Sequence, residues 1–211
     1  MDSYSLKDLS NENNYKEVCK VMDIDSIIAH YSIGIYFAVY DWPNNNFGLW
    51  KYNGSKIDGN LYSDGKWRFM NYDYDFTMGH TFMENDGKGY EYDMFTHVDS
   101  SKQRHPTNLF IALLKNEEFK NKFIEYYEDF VKNIVSMSII NPIIKEFDEE
   151  ISILIGYSIS RWKGYLGGTK KEYLLEAILI YKNKTLQEIK KFLEERPKYT
   201  LENMKKYFKI E

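Results

Sequence analysis

The 211-residue chain carries a net charge of −4, is 43% hydrophobic and 17% aromatic, and has a single cysteine, Cys19. That size and apolar content suit one globular domain spanning residues 1–211. The lone thiol excludes an intrachain disulfide and a cysteine-rich zinc site. No run approaches the roughly 20 apolar residues that span a bilayer. Residues 1–114 hold 10 Lys+Arg against 16 Asp+Glu, an acidic excess that suits a cation rather than a nucleic acid.

Residues 1–8, Met-Asp-Ser-Tyr-Ser-Leu-Lys-Asp, lack the basic and apolar regions of a signal peptide. Asn11 to Met22 predicts a short amphipathic helix. Asp25-Ser26 then reads as the cap of a buried helix from Ile27 to Tyr40, apolar on most faces and closed by Trp42-Pro43. Phe47 to Tyr52 and Lys66 to Tyr72 carry the aromatic enrichment of strands. The turn dipeptides Asn53-Gly54, Asp58-Gly59 and Asp64-Gly65 lie between them, which predicts a hairpin.

Residues 80–105 show weak periodicity and read as a long functional loop. Helices follow over Thr107–Leu114, from Asn116 to about Val135, and from Met137 to Trp162 with a bend at Pro142. After a glycine-rich connection at residues 164–168, a fourth is expected from Thr169 to Glu195. Arg196-Pro197 closes it, and Leu201–Phe208 forms a last short helix. The fold class expected is α+β, mostly α: a small antiparallel hairpin packed on a helical bundle.

Two segments carry chemistry. In Asp41-Trp-Pro-Asn-Asn-Asn46 a carboxylate and an amide stand five positions apart. The strand Lys66-Trp-Arg-Phe-Met70 runs directly into Asn71-Tyr-Asp-Tyr-Asp75. Protein kinases place an aspartate and an asparagine at this spacing, one to receive the acceptor hydroxyl and one to hold Mg²⁺, and add a chelating aspartate after a later strand. Asp41 is therefore the candidate catalytic residue, and Asn46, Asp73 and Asp75 the candidate ligands of a metal and its nucleotide. On an extended strand Asp73 and Asp75 would share a face. The histidine and arginine that precede the aspartate in the kinase pattern are absent, with Val39-Tyr40 in their place. His30 reads as a hydrogen-bonded core histidine, and His80 as a solvated loop residue. His97 and His105 are too isolated for zinc, and Glu84, Asp86, Glu91 and Asp93 form a solvated acidic loop.

The runs Asp23-Ile-Asp-Ser-Ile-Ile28, Tyr36-Phe-Ala-Val-Tyr-Asp-Trp-Pro-Asn-Asn-Asn46 and Trp67-Arg-Phe-Met-Asn-Tyr-Asp-Tyr-Asp-Phe-Thr-Met-Gly79 together resemble the CotH family, the spore-coat protein H-like atypical protein kinases of bacteria. Leu109 to Phe119, Arg161-Trp162 and Phe192 to Pro197 extend the resemblance over nearly the whole chain. It implies a kinase-like fold, ATP with Mg²⁺ or Mn²⁺, a protein Ser/Thr acceptor, and a spore-coat, cell-surface or secreted setting. It also implies Asp41 as catalytic aspartate, with Asn46 and one of Asp73 and Asp75 as metal ligands. No glycine-rich phosphate cover and no lysine-bearing strand motif occurs, so the chain is expected to represent the C-terminal lobe, inactive by itself. The alternative is a pseudokinase-type scaffold that binds partners without catalysis.

Overall fold

The computed structural model describes residues 2–78, 89–162, 176 and 178–211. Among them the chain forms α1 (Asp2–Ser5), α2 (Glu12–Val21), α3 (Ile24–Tyr36), β1 (Phe47–Trp50), β2 (Arg68–Asn71), α4 (Met94–Ser100), α5 (Thr107–Leu113), α6 (Glu117–Asp129), α7 (Met137–Trp162) and α8 (Leu186–Phe208). The mostly helical α+β class read from the sequence holds. No helix of the described residues is long and apolar enough to cross a membrane.

Everything is arranged around α3. Ile27, Ile28, Tyr31, Ile35 and Tyr36 are all buried on it, and full burial of each such side chain contributes about 1.5–3 kcal/mol. Tyr31 stacks on Phe110 of α5 at 3.7 Å between ring centroids. Phe110 in turn meets Phe119 and Phe123 of α6 edge-on. The cap is Asp23, two residues ahead of the expected Asp25, because the Asp23 carboxylate accepts from the Ser26 N–H at 3.0 Å. The Ser26 hydroxyl then accepts from the Phe69 N–H of β2 at 2.9 Å. An Arg68–Asp23 ion pair at 2.8 Å fixes the same junction.

The other end of α3 stops at Tyr36, four residues before the predicted Tyr40. Ala38 takes a left-handed φ of +52°, and the Val39 N–H turns back to the Gly34 carbonyl at 3.1 Å. This is the Schellman closure that glycine ordinarily provides. What holds it is Arg196, fully buried on α8. Its guanidinium donates to the Ile35 and Tyr36 carbonyls, both at 2.8 Å, and to the Tyr90 and Tyr92 carbonyls at 2.9 and 2.7 Å. The last carbonyls of a helix lack intrahelical partners and carry its negative dipole end, so a cation there is doubly favoured.

Three sequence expectations change. Pro197 does not end a helix; α8 runs through it from Leu186 to Phe208. Phe192, Leu193, Arg196, Thr200 and Met204 bury one continuous stripe, and that packing outweighs the roughly 3 kcal/mol proline penalty. The loop expected over residues 80–105 contains α4, whose cap Asp93 accepts from the Thr96 N–H at 3.1 Å; Asp93 is thus committed to a helix end rather than to a metal. The helix expected to reach Val135 passes at Asp129 into a wider π turn over Phe130–Ile134. Gly79, His80, Glu84, Asp86, the connection at 164–170 and the helix start at Thr169 lie outside the described residues. The hairpin is as expected: β1 and β2 pair antiparallel, Phe47 opposite Asn71 and Trp50 opposite Arg68.

Replacing Arg196 by alanine removes four hydrogen bonds to main-chain carbonyls, of which those of Ile35 and Tyr92 keep the backbone donors Ala38 and Met94, so urea unfolding should show a loss of about 3 kcal/mol or more. Arg196→Lys should not restore it, because a compact ammonium cannot span four acceptors. A loss below about 1 kcal/mol for the alanine variant would remove Arg196 from this role.

Candidate active site

The left-handed Ala38 sends the chain out of α3 into a turn that presents Asp41 and returns through Asn46 to β1. Asn46 itself has a φ of +55°. The turn is gripped through Trp42, which is 1% exposed. Its indole N–H donates to His30 Nε2 at 3.1 Å, and its carbonyl accepts from His97 Nε2 at 2.8 Å. The indole lies flat against Gly34: a Cβ there would stand 2.7 Å from the ring carbon Cη2. Asn44 is held by the Thr107 hydroxyl at the start of α5, 3.1 Å away.

The second turn leaves β2 at Asn71. Asp73 adopts a φ of +57°, so the segment is a bend and the shared face predicted for Asp73 and Asp75 does not form. Backbone bonds clamp this turn to the first one. The Tyr40 N–H donates to the Phe76 carbonyl and the Met78 N–H to the Phe37 carbonyl, both at 2.8 Å, and the Thr77 hydroxyl donates to Phe37 as well.

Between the clamps Asn46 joins Asp41 to the backbone of Asp73, and the Asp73 and Asp75 charges act on Asp41. Asn46 Nδ2 donates to Asp41 Oδ2 at 2.6 Å and to the Asp73 carbonyl at 3.3 Å. Asp41 Oδ1 is buried and has no hydrogen-bond partner among the described residues. Burial raises the Asp41 pKa, the neighbouring Asp75 and Asp73 charges raise it further, and the Asn46 hydrogen bond opposes them. Asp73 and Asp75 remain exposed. The result is a half-buried carboxylate with one free oxygen, facing two solvated carboxylates across an amide.

Among the described residues no group of three or more His, Cys, Asp or Glu forms a ready-made metal cage. Magnesium needs less, since it keeps several waters and takes one or two carboxylates with a substrate phosphate. The donor set fits that requirement. The Asn46 amide nitrogen is spent on Asp41 and Asp73, which leaves its oxygen outside those two contacts. A polar cleft of about 720 Å³ lies at the opposite end of α3, around Asp23, Trp50 and Arg68, and an apolar groove of about 330 Å³ lies between α7 and α8; neither is lined by these four residues.

The model of the CotH kinase protein family matches residues 2–200. This chain belongs to the CotH kinase family. Searches of curated proteins and of solved structures return no match. For a CotH kinase family chain, the pairing of the Asp41 and Asp73 turns is the feature that sets the site apart from an incidental polar surface.

Three supporting residues show their part only in the structure. Arg196 reads in sequence as a helix end, yet it fixes the point where the first turn begins. His97 looks isolated in sequence, although it holds the carbonyl next to Asp41. His30 reads as a core histidine, but its partners lie far away in sequence. The signal available for each was a polar residue placed on an otherwise apolar helical stripe.

Gly34→Ala should force the Trp42 ring out of place. The expected outcome is a loss of about 1–3 kcal/mol on thermal or urea unfolding, with a red-shifted tryptophan emission. Unchanged emission and stability would show that the Asp41 turn does not lean on Gly34.

Proposed function

We propose that the chain is the C-terminal, phosphoryl-transfer lobe of a CotH-type protein kinase, acting with Mg²⁺-ATP on a protein serine or threonine hydroxyl. The observation that carries this reading is the free, buried Oδ1 of Asp41 beside the Asn46–Asp73 contact. Transfer of a γ-phosphoryl group asks the protein chiefly for positioning and charge neutralisation. Asp41 orients the acceptor O–H and takes its proton as the new O–P bond forms and the bond from the γ-phosphorus to the β-bridging oxygen breaks, releasing ADP. Asn46, Asp73 and Asp75 hold the metal. The ion, when bound, neutralises the developing charge on the phosphates.

Asn46 has a further part. Its hydrogen bond to Asp41 Oδ2 keeps that oxygen occupied and holds the carboxylate in one orientation. The described residues contain a two-stranded sheet and no larger one, so this reading assigns the cover over the nucleotide phosphates to a separate lobe. On a protein carrying that lobe, calorimetry should show metal-dependent ATP binding that Asp73→Ala weakens at least tenfold. Asp41→Asn should leave binding intact and lower phosphotransfer by about a hundredfold or more. Absence of metal-dependent ATP binding would favour the non-catalytic scaffold instead.

The pH dependence follows from the Asp41 environment. Its pKa lies above the usual aspartate value of 3.8, and the ionised form is the one that accepts a proton. Phosphotransfer should therefore fall as pH drops through the raised pKa, at a pH higher than an ordinary aspartate would give. For stability the sign is opposite. A carboxyl whose folded pKa is raised favours the fold below that pKa and loses this contribution as pH rises through it. Asp41→Asn should thus melt no lower than the parent chain at neutral pH, measured by calorimetry.

A further inference from the structure

His30 lies at the middle of α3, 1% exposed, with its ring stacked on Phe69 at 4.4 Å between centroids. Its two nitrogens face different parts of the site. The Trp42 indole can only donate, so His30 Nε2, 3.1 Å away, is the unprotonated nitrogen. The proton is then on Nδ1, which donates to Asn71 Oδ1. The same Asn71 oxygen accepts from the Tyr74 hydroxyl at 3.0 Å. One neutral imidazole therefore bonds to the residue directly after Asp41 and to the residue two before Asp73. These partners lie 12 and 41 positions away in sequence.

We infer that His30 is a positioning residue: it brackets the Asp41 turn and the Asp73 turn from below and sets the distance between them. A buried histidine must satisfy both ring nitrogens wherever it lies; what singles out His30 is that each nitrogen is spent on a different turn, and Phe69, Tyr31 and Trp42 surround the ring so that it has one orientation. The burial that keeps the ring neutral, with its pKa lowered to about 4, also preserves the one-donor, one-acceptor arrangement through the neutral range.

That the bracketed groups perform phosphoryl transfer rests on the function proposed above. The bracket itself is read without nucleotide or metal. Amide and indole signals of the ¹⁵N-labelled chain are compared for the parent, His30→Phe, His30→Asn, His30→Gln and Asn71→Ala. His30→Phe keeps a planar ring and removes both bonds, so amide signals in residues 41–46 and in 72–76 should move together, and exchange of the Trp42 indole proton should speed at least tenfold. His30→Asn keeps a donor near the Nδ1 position and should restore the second turn, while His30→Gln keeps an acceptor near Nε2 and should restore the indole protection. Asn71→Ala removes the acceptor of the His30 Nδ1–H without replacing a core side chain; it should disturb the second turn and leave the Trp42 indole protection in place, and it decides the matter if His30→Phe does not fold. Changes confined to α3, Tyr31 and Phe69, with both turns unmoved in His30→Phe or in Asn71→Ala, would overturn the bracket. A chain that shows the bracket but, with its companion lobe, binds no metal-dependent ATP would overturn the function and leave the bracket standing.

Discussion

A buried guanidinium bonded to the main chain holds this molecule in register. Arg196 meets four main-chain carbonyls, two at the end of α3 and two in the Tyr90–Tyr92 segment. A buried charge is tolerated only where its donors are satisfied, and two of the acceptors here are carbonyls of the last turn of α3, where intrahelical donors run out. The interaction thus solves two problems at once. It also fixes where α3 ends, and hence where the chain turns outward toward Asp41. Because Arg196 sits on α8, about 160 positions after Tyr36, the last helix of the chain sets the geometry of a turn near its beginning.

From that anchor the site is built by successive local constraints. Ala38 in the left-handed region redirects the chain, and Gly34 makes room for the Trp42 indole. His30 and His97 hold the indole and the carbonyl of Trp42. Two backbone bonds then lay the β2 exit turn against the α3 exit turn. Only after these is the Asn46–Asp41 contact possible. The support for this arrangement lies in the aromatic core, while the Asp73 and Asp75 carboxylates face solvent. On the function proposed above, that division of buried support and exposed ligands is the one electrostatic catalysis requires.

Much of this was legible in the residues themselves. The apolar run on α3, the turn dipeptides of the hairpin and the helices expected to begin at Asn11 and Asn116 rest on local signals, and each element formed. The D-x-x-x-x-N spacing also placed Asp41 and Asn46 within hydrogen-bond reach of each other. What could not be read was decided by partners distant in sequence. Pro197 is a helix breaker by local rule, but α8 continues because its apolar stripe and Arg196 are buried on both sides of it. Tyr40 is no part of α3, because Arg196 takes the carbonyls that further helical amides would have used. Asp73 and Asp75 failed to share a face because the backbone bends at Asp73 to meet Asn46, a contact across 27 positions that period-two reasoning does not contain.

The account depends on the two turns forming one cation-binding surface. Titrating Mn²⁺ into the ¹⁵N-labelled chain and mapping paramagnetic broadening tests this most directly. The account predicts broadening centred on the amides of residues 41–46 and 72–76, abolished when Asp73 and Asp75 are both replaced by alanine. Broadening centred on another acidic surface, or spread evenly over the exposed carboxylates, would contradict it.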